Sequence, residues 1–103
     1  MAHYLVRAKA LRHKLPDLKK RLESGEIVSM KPFGTALDES LKGARVRADD
    51  WWVWEEQDYC VPPLAMERAA VLDDYFEGLT VEQVEKGKGW KMVEHLPPAW
   101  SKD

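Results

Sequence analysis

Three tryptophans crowd into four residues, Trp51-Trp52-Val53-Trp54, and no other stretch limits this chain's possible folds as strongly. Bulky aromatics at that density suit a pleated strand, where successive side chains leave opposite faces, far better than a helix. Trp52 and Trp54 then share one face, and Trp51 and Val53 share the other. A ribbon apolar on both sides belongs inside a sheet, or must offer its second face to a partner. Carboxylates flank it at Asp49, Asp50, Glu55, Glu56 and Asp58, followed by Tyr59 and the sole cysteine, Cys60. Pro62-Pro63 cannot continue a sheet and set up a helix instead.

The other elements follow from periodicity. Tyr4 to Ala10 alternates, with Tyr4, Val6, Ala8 and Ala10 opposite Arg7 and Lys9, which predicts a half-buried strand. Pro16 opens a helix in which Leu15, Leu18 and Leu22 recur at helical spacing, and Gly25 stops it. Ile27 to Met30 reads as a second strand, limited by Pro32. Thr35 and Asp38 start a short helix, Ala36 to Lys42, ended by Gly43. After the tryptophan strand, a helix from Pro63 to Phe76 carries an apolar stripe of Ala65, Ala69, Leu72 and Phe76. Thr80 with Gln83 reads as a capping box for one or two helical turns. Trp90 to Leu96 alternates again and predicts a last strand.

At 103 residues the chain is long enough to bury a core without metals or disulfides, and residues 1–103 are expected to form one α+β domain. The order of elements predicts a ferredoxin-like β-α-β-β-α-β sandwich, an antiparallel sheet with helices on one face. Its second face would carry aromatics, so a homodimer that stacks two sheets is expected. A lone cysteine forms no internal bridge, and no apolar run approaches the length of a membrane span. These features predict a soluble cytoplasmic protein with no membrane contact.

The first half resembles the YCII-related proteins. The matching residues are His3-Tyr4-Leu5-Val6, then Leu18-Lys19-Lys20-Arg21-Leu22 through Val28, then the turn Lys31-Pro32-Phe33-Gly34 leading to Asp38. The resemblance implies a dimeric α+β barrel and a hydrolase- or lyase-type site with an Asp and a His. Asp38 lies in the segment that would carry the acid. Asp17 occupies the position that would carry the histidine, and His13, a turn earlier, is the nearest one.

The residues allow several further chemistries. The tryptophans, chiefly core by expectation, would otherwise wall a site for a flat or cationic ligand. That site would use Trp52, Trp54, Tyr59 and Cys60, with Glu56 and Asp58 at its polar rim. Cys60 precedes a helix, which favours a thiolate, but nearby carboxylates oppose it, and a buried inert thiol is the simpler expectation. The carboxylates lack the spacing of a cation loop, and no paired histidines exist, so no metal or cofactor is predicted. Net charge is +6 up to Ala48 and −8 from Asp49 onward. The basic run Arg7, Lys9, Arg12, His13, Lys14, Lys19, Lys20 and Arg21 would suit a nucleic-acid backbone, but no recognition motif accompanies it. A solvated helix face explains it better. Small-molecule or protein binding through the tryptophan-bearing sheet face is therefore the leading expectation, with the Asp38–His13 enzyme as the alternative.

Overall fold

A computed structural model describes residues 2–100. It is an α+β protein with a four-stranded antiparallel sheet of order β2-β3-β1-β4. The elements are β1 (Ala2–Ala10), α1 (Leu15–Ser24), α2 (Gly34–Lys42), β2 (Arg45–Val46), β3 (Trp51–Asp58), α3 (65–75), β4 (Phe76–Val84) and α4 (Lys88–Val93). No helix among the described residues is long and apolar enough to cross a membrane.

The tryptophan strand is interior, flanked by β1 and β2. Its register against β1 sets Trp54 opposite Val6 and Trp52 opposite Ala8, so small residues make room for indoles on one face. That face meets Leu18 and Leu22 of α1, Leu37 and Leu41 of α2, and Val71, Leu72 and Tyr75 of α3. Trp52 meets Phe76 and Trp100 edge-on at centroid distances of 5.4 and 4.9 Å. On the opposite face Leu5 and Val53 are covered by Val93 and Trp90 of α4. The apolar demand behind the expected sheet-on-sheet pairing is thus met in part within one chain. Beyond them Trp51 lies over Gly78, and charged side chains share the face, including the Arg7–Glu82 pair at 3.3 Å.

Three local expectations are overturned, each by tertiary context. Ile27 to Met30 is a run of turns, closed by Met30 N–H to the Ile27 carbonyl at 3.0 Å and Gly34 N–H to the Met30 carbonyl at 2.8 Å. Ile27 is buried while Val28 is exposed, and the turn is so tight that a Cβ on Gly34 would lie 2.5 Å from the Ile27 oxygen. Four residues anchored by one core side chain need no ladder. Thr80 to Gln83 is strand, not a capped helix, because β4 pairs with the otherwise open edge of β1 from His3–Val84 to Ala10–Phe76. A row of backbone hydrogen bonds outweighs a cap of about 1 kcal/mol. Trp90 to Leu96 is helical as far as Val93. Trp90, Val93 and Leu96 stand three residues apart, which puts them on one side of a helix but on alternate faces of a strand, and α4 with the turn after it lays all three on the sheet.

The helix after the double proline forms, but its buried stripe differs from the expected one. A π-helical turn occupies Arg68–Leu72, and Ala69 within it is exposed. Leu72 and Phe76 of the expected stripe are buried, and Leu64, Glu67, Val71 and Tyr75 face inward beside them in place of Ala65 and Ala69. A glutamate therefore occupies a core position. The two charge halves interleave: Arg12 binds Asp50 through two 2.9 Å hydrogen bonds, and Arg7 reaches Glu82.

Candidate functional site

Strand β2 is only two residues long and pairs with Trp52 and Val53, so the last half of β3 is paired with β1 on one edge and has no strand along the other. Helix α2 lies along this free edge, where the Ser40 hydroxyl donates to the Glu55 carbonyl at 2.7 Å. A cleft of about 620 Å³ opens here. Phe33, Met66 and Trp90 line it with apolar surface, and Glu39, Glu55, Asp58, Tyr59 and Cys60 supply polar groups.

Glu55 organises one wall. Its carboxylate accepts N–H bonds from Gly87 at 2.8 Å and Trp90 at 3.1 Å, which satisfies orphan donors at the start of α4. His3 Nδ1 stands 3.5 Å from the same carboxylate. The fit requires a glycine: a Cβ on Gly89 would sit 2.9 Å from Glu55 Oε1.

The other wall is a loop built on Asp58. Asp58 Oδ2 accepts the N–H of Cys60 at 3.0 Å and of Leu64 at 2.6 Å, turning the chain into α3. Leu64 holds a left-handed conformation with φ of 65°, uncommon for a side chain of this size. Its burial and the Asp58 bond keep it there.

Behind this loop lies a chain of buried carboxyls. Glu56 is 1% exposed and Glu67 0%, and both are in contact with core rather than water. Trp54 Nε1–H donates to Glu56 Oε1 at 3.0 Å. Among the described residues nothing donates to Glu56 Oε2 or to either oxygen of Glu67. Their polar neighbours are other carboxyls, so bonds form only where a proton is shared. Burial, then the hydrogen bond to Glu67, pushes Glu56 well above the usual carboxylate range. Burial and a hydrogen bond donated to Asp58 push Glu67 up to about 7. Burial alone would raise Asp58, but hydrogen bonds from Glu67 and from the N–H groups of Leu64, Cys60 and Tyr59 outweigh it and hold Asp58 low. The anion of the chain therefore resides at Asp58, on the cleft wall.

The expected site residues divide. Asp58, Tyr59 and Cys60 line the cleft, Tyr59 with 72% of its surface exposed. Glu56 lies beneath the wall, held by Trp54. Trp52 and Trp54 are buried on the helix-covered face and do not line the cleft; Trp90 is the indole that does. Asp38 is buried on α2 with Lys42 Nζ 3.0 Å away, and His13 is exposed in the turn before α1; neither lines the cleft.

Sequence reasoning missed His3, Glu55 and Glu67 as site residues. Glu67 was detectable, since it stands three residues after Leu64 and four before Val71, on one helical stripe. His3 and Glu55 become neighbours only through the β1–β3 register, which pairs His3 with Gln57 and Leu5 with Glu55. No family model, curated protein or solved structure matches the chain.

Proposed function

We propose that this protein binds a small, flat, positively charged ligand in the cleft beside the free edge of β3. The observation that carries this is the placement of Asp58, an ionised carboxylate with little water around it, on a wall shared with apolar surface from Phe33, Met66 and Trp90. An aromatic body would lie on the indole and phenyl surfaces, and its cationic end would face Asp58 and Glu39. Lys86 and His3 are the basic residues of the lining, so carboxylates outnumber them. The strand order, read from β4 through β1 and β3 to β2, supports a ferredoxin-like sandwich to which α4 has been added.

Tryptamine and indole-3-acetate share a ring system and differ in the sign of their charge, so they test the proposal directly. The expected result is saturable amide shifts at Tyr59, Cys60 and Gly87 on adding tryptamine to ¹⁵N-labelled protein. Indole-3-acetate should bind about fivefold more weakly or less, since one unscreened charge pair contributes about 1 kcal/mol even at the permittivity of water. Equal affinities, or shifts confined to other surfaces, would sink the idea.

A further inference from the structure

We propose that Asp58, Cys60 and Glu67 form a site for a divalent transition-metal ion of the zinc class, with Asp58 and Cys60 on the cleft wall and Glu67 behind them. One donor atom from each of the three lies within 4.8 Å of the others. A tetrahedral ion with bonds of 2.0–2.3 Å holds such oxygens and sulfurs about 3.5 Å apart, so closure needs side-chain shifts of about an ångström.

The cluster alone would prove little; Glu67 makes it a site. Its carboxyl is wholly buried, neither oxygen has a donor among the described residues, and it points at Asp58 and Cys60. Glu56 Oε2, directly behind, is equally unpartnered. Without an ion these acceptors can be satisfied only by protons shared among the carboxyls, and a cation at the point where they converge would take the place of those protons. The backbone is built around the same point: Asp58 fixes the Cys60 and Leu64 amides, and Leu64 holds its left-handed turn.

The donor set selects the ion. A thiolate with carboxylates suits zinc, cobalt or ferrous iron and disfavours magnesium and calcium, which take oxygen alone. Cys60 is half-buried and unbridged, and as a cleft residue it gives the ion a way in. Three protein ligands leave a fourth position, open toward the cleft, as in sites that bind a water or a substrate. The ion uses the same cleft as the proposed organic ligand but does not depend on it, and the two are assayed separately so that either can fail alone.

The test uses untagged full chain, stripped with chelator, dialysed, and kept reduced. Calorimetric titration with Zn²⁺ should give one ion per chain. Co²⁺ should produce a thiolate-to-metal charge-transfer absorption that disappears in Cys60→Ser. Glu67→Gln should weaken Zn²⁺ binding at least about tenfold, the least expected when a group supporting a metal is lost. Glu23→Gln, an exposed carboxylate of α1 outside the cleft and the donor set, should bind as the parent does, and circular dichroism should show each variant folded. Should Glu67→Gln fail to fold, the cobalt spectrum of Cys60→Ser decides by itself. Absence of stoichiometric binding, undiminished binding in both ligand variants, or displacement of Zn²⁺ by a modest excess of Mg²⁺ would overturn the proposal.

Discussion

Glu67→Gln tests the buried carboxyl chain most directly, through the pH dependence of stability in the presence of chelator. The Glu67 pKa is about 7 in the folded protein against an ordinary 4.5. Below pH 4.5 the group is protonated in both states and contributes no pH dependence. Between 4.5 and 7 the unfolded chain loses the proton while the folded chain keeps it, so the folded state binds more protons and stability falls as pH rises. Across that window the loss amounts to about 3 kcal/mol, at about 1.4 kcal/mol per pH unit, and above 7 it is complete. Glutamine has the shape of the protonated acid, and its amide can donate to Asp58 while its carbonyl accepts from Glu56. Urea unfolding of parent and variant at steps from pH 4.5 to 8 reads this effect, because titrating groups away from the carboxyl chain cancel in the difference and the glutamine keeps the hydrogen bonds to Asp58 and Glu56. The variant should match the parent near pH 4.5 and exceed it by about 2–3 kcal/mol at pH 8. A difference that stays flat with pH, or a variant less stable throughout, would refute the shared-proton chain.

Other perturbations probe the two walls. Gly89→Ala should destabilise by about 1–3 kcal/mol in urea unfolding, because the new methyl meets the Glu55 carboxylate and lifts α4 from the sheet; unchanged stability would mean that Glu55 does not seat there. Ser40→Ala should cost about 1–2 kcal/mol, since it strips the Glu55 carbonyl of its donor on the free edge of β3. A neutral result would place α2 away from that edge. Asp58→Asn should destabilise by about 1–3 kcal/mol near neutral pH, since a neutral amide oxygen accepts the Cys60 and Leu64 amides less strongly than a carboxylate. Faster hydrogen exchange at those two amides should accompany it, and unchanged protection would count against the loop geometry.

The elements that sequence reading located are those whose local pattern admits one geometry. Three indoles in four residues make β3 a strand, Leu18 and Leu22 with Gly25 bound α1, and the Ala36 to Lys42 helix ends where Gly43 stands. The misread segments carry patterns with two solutions. In residues 90–96, Trp90, Met92 and Leu96 fit a strand while Trp90, Val93 and Leu96 fit a helix, and Thr80 to Gln83 can cap a helix or join a ladder. Which one forms depends on whether β1 has an open edge and whether Leu5 and Val53 need a cover, and neither fact is local.

The candidate site shows the same division. Residues 49–63 announce themselves by composition, and Asp58, Tyr59 and Cys60 do face the cleft. That the indoles of Trp52 and Trp54 go inward while the acids beside them are buried follows from which face of the sheet the helices cover. His3 meets Glu55 only because two strands far apart in the chain settle into one register. Glu67 reaches Asp58 and Cys60 only because the Asp58 loop, through its bond to the Leu64 amide, sets where and how α3 begins. Periodicity along the chain states which side chains share a face; burial and the convergence of charges are set when distant faces close on one another.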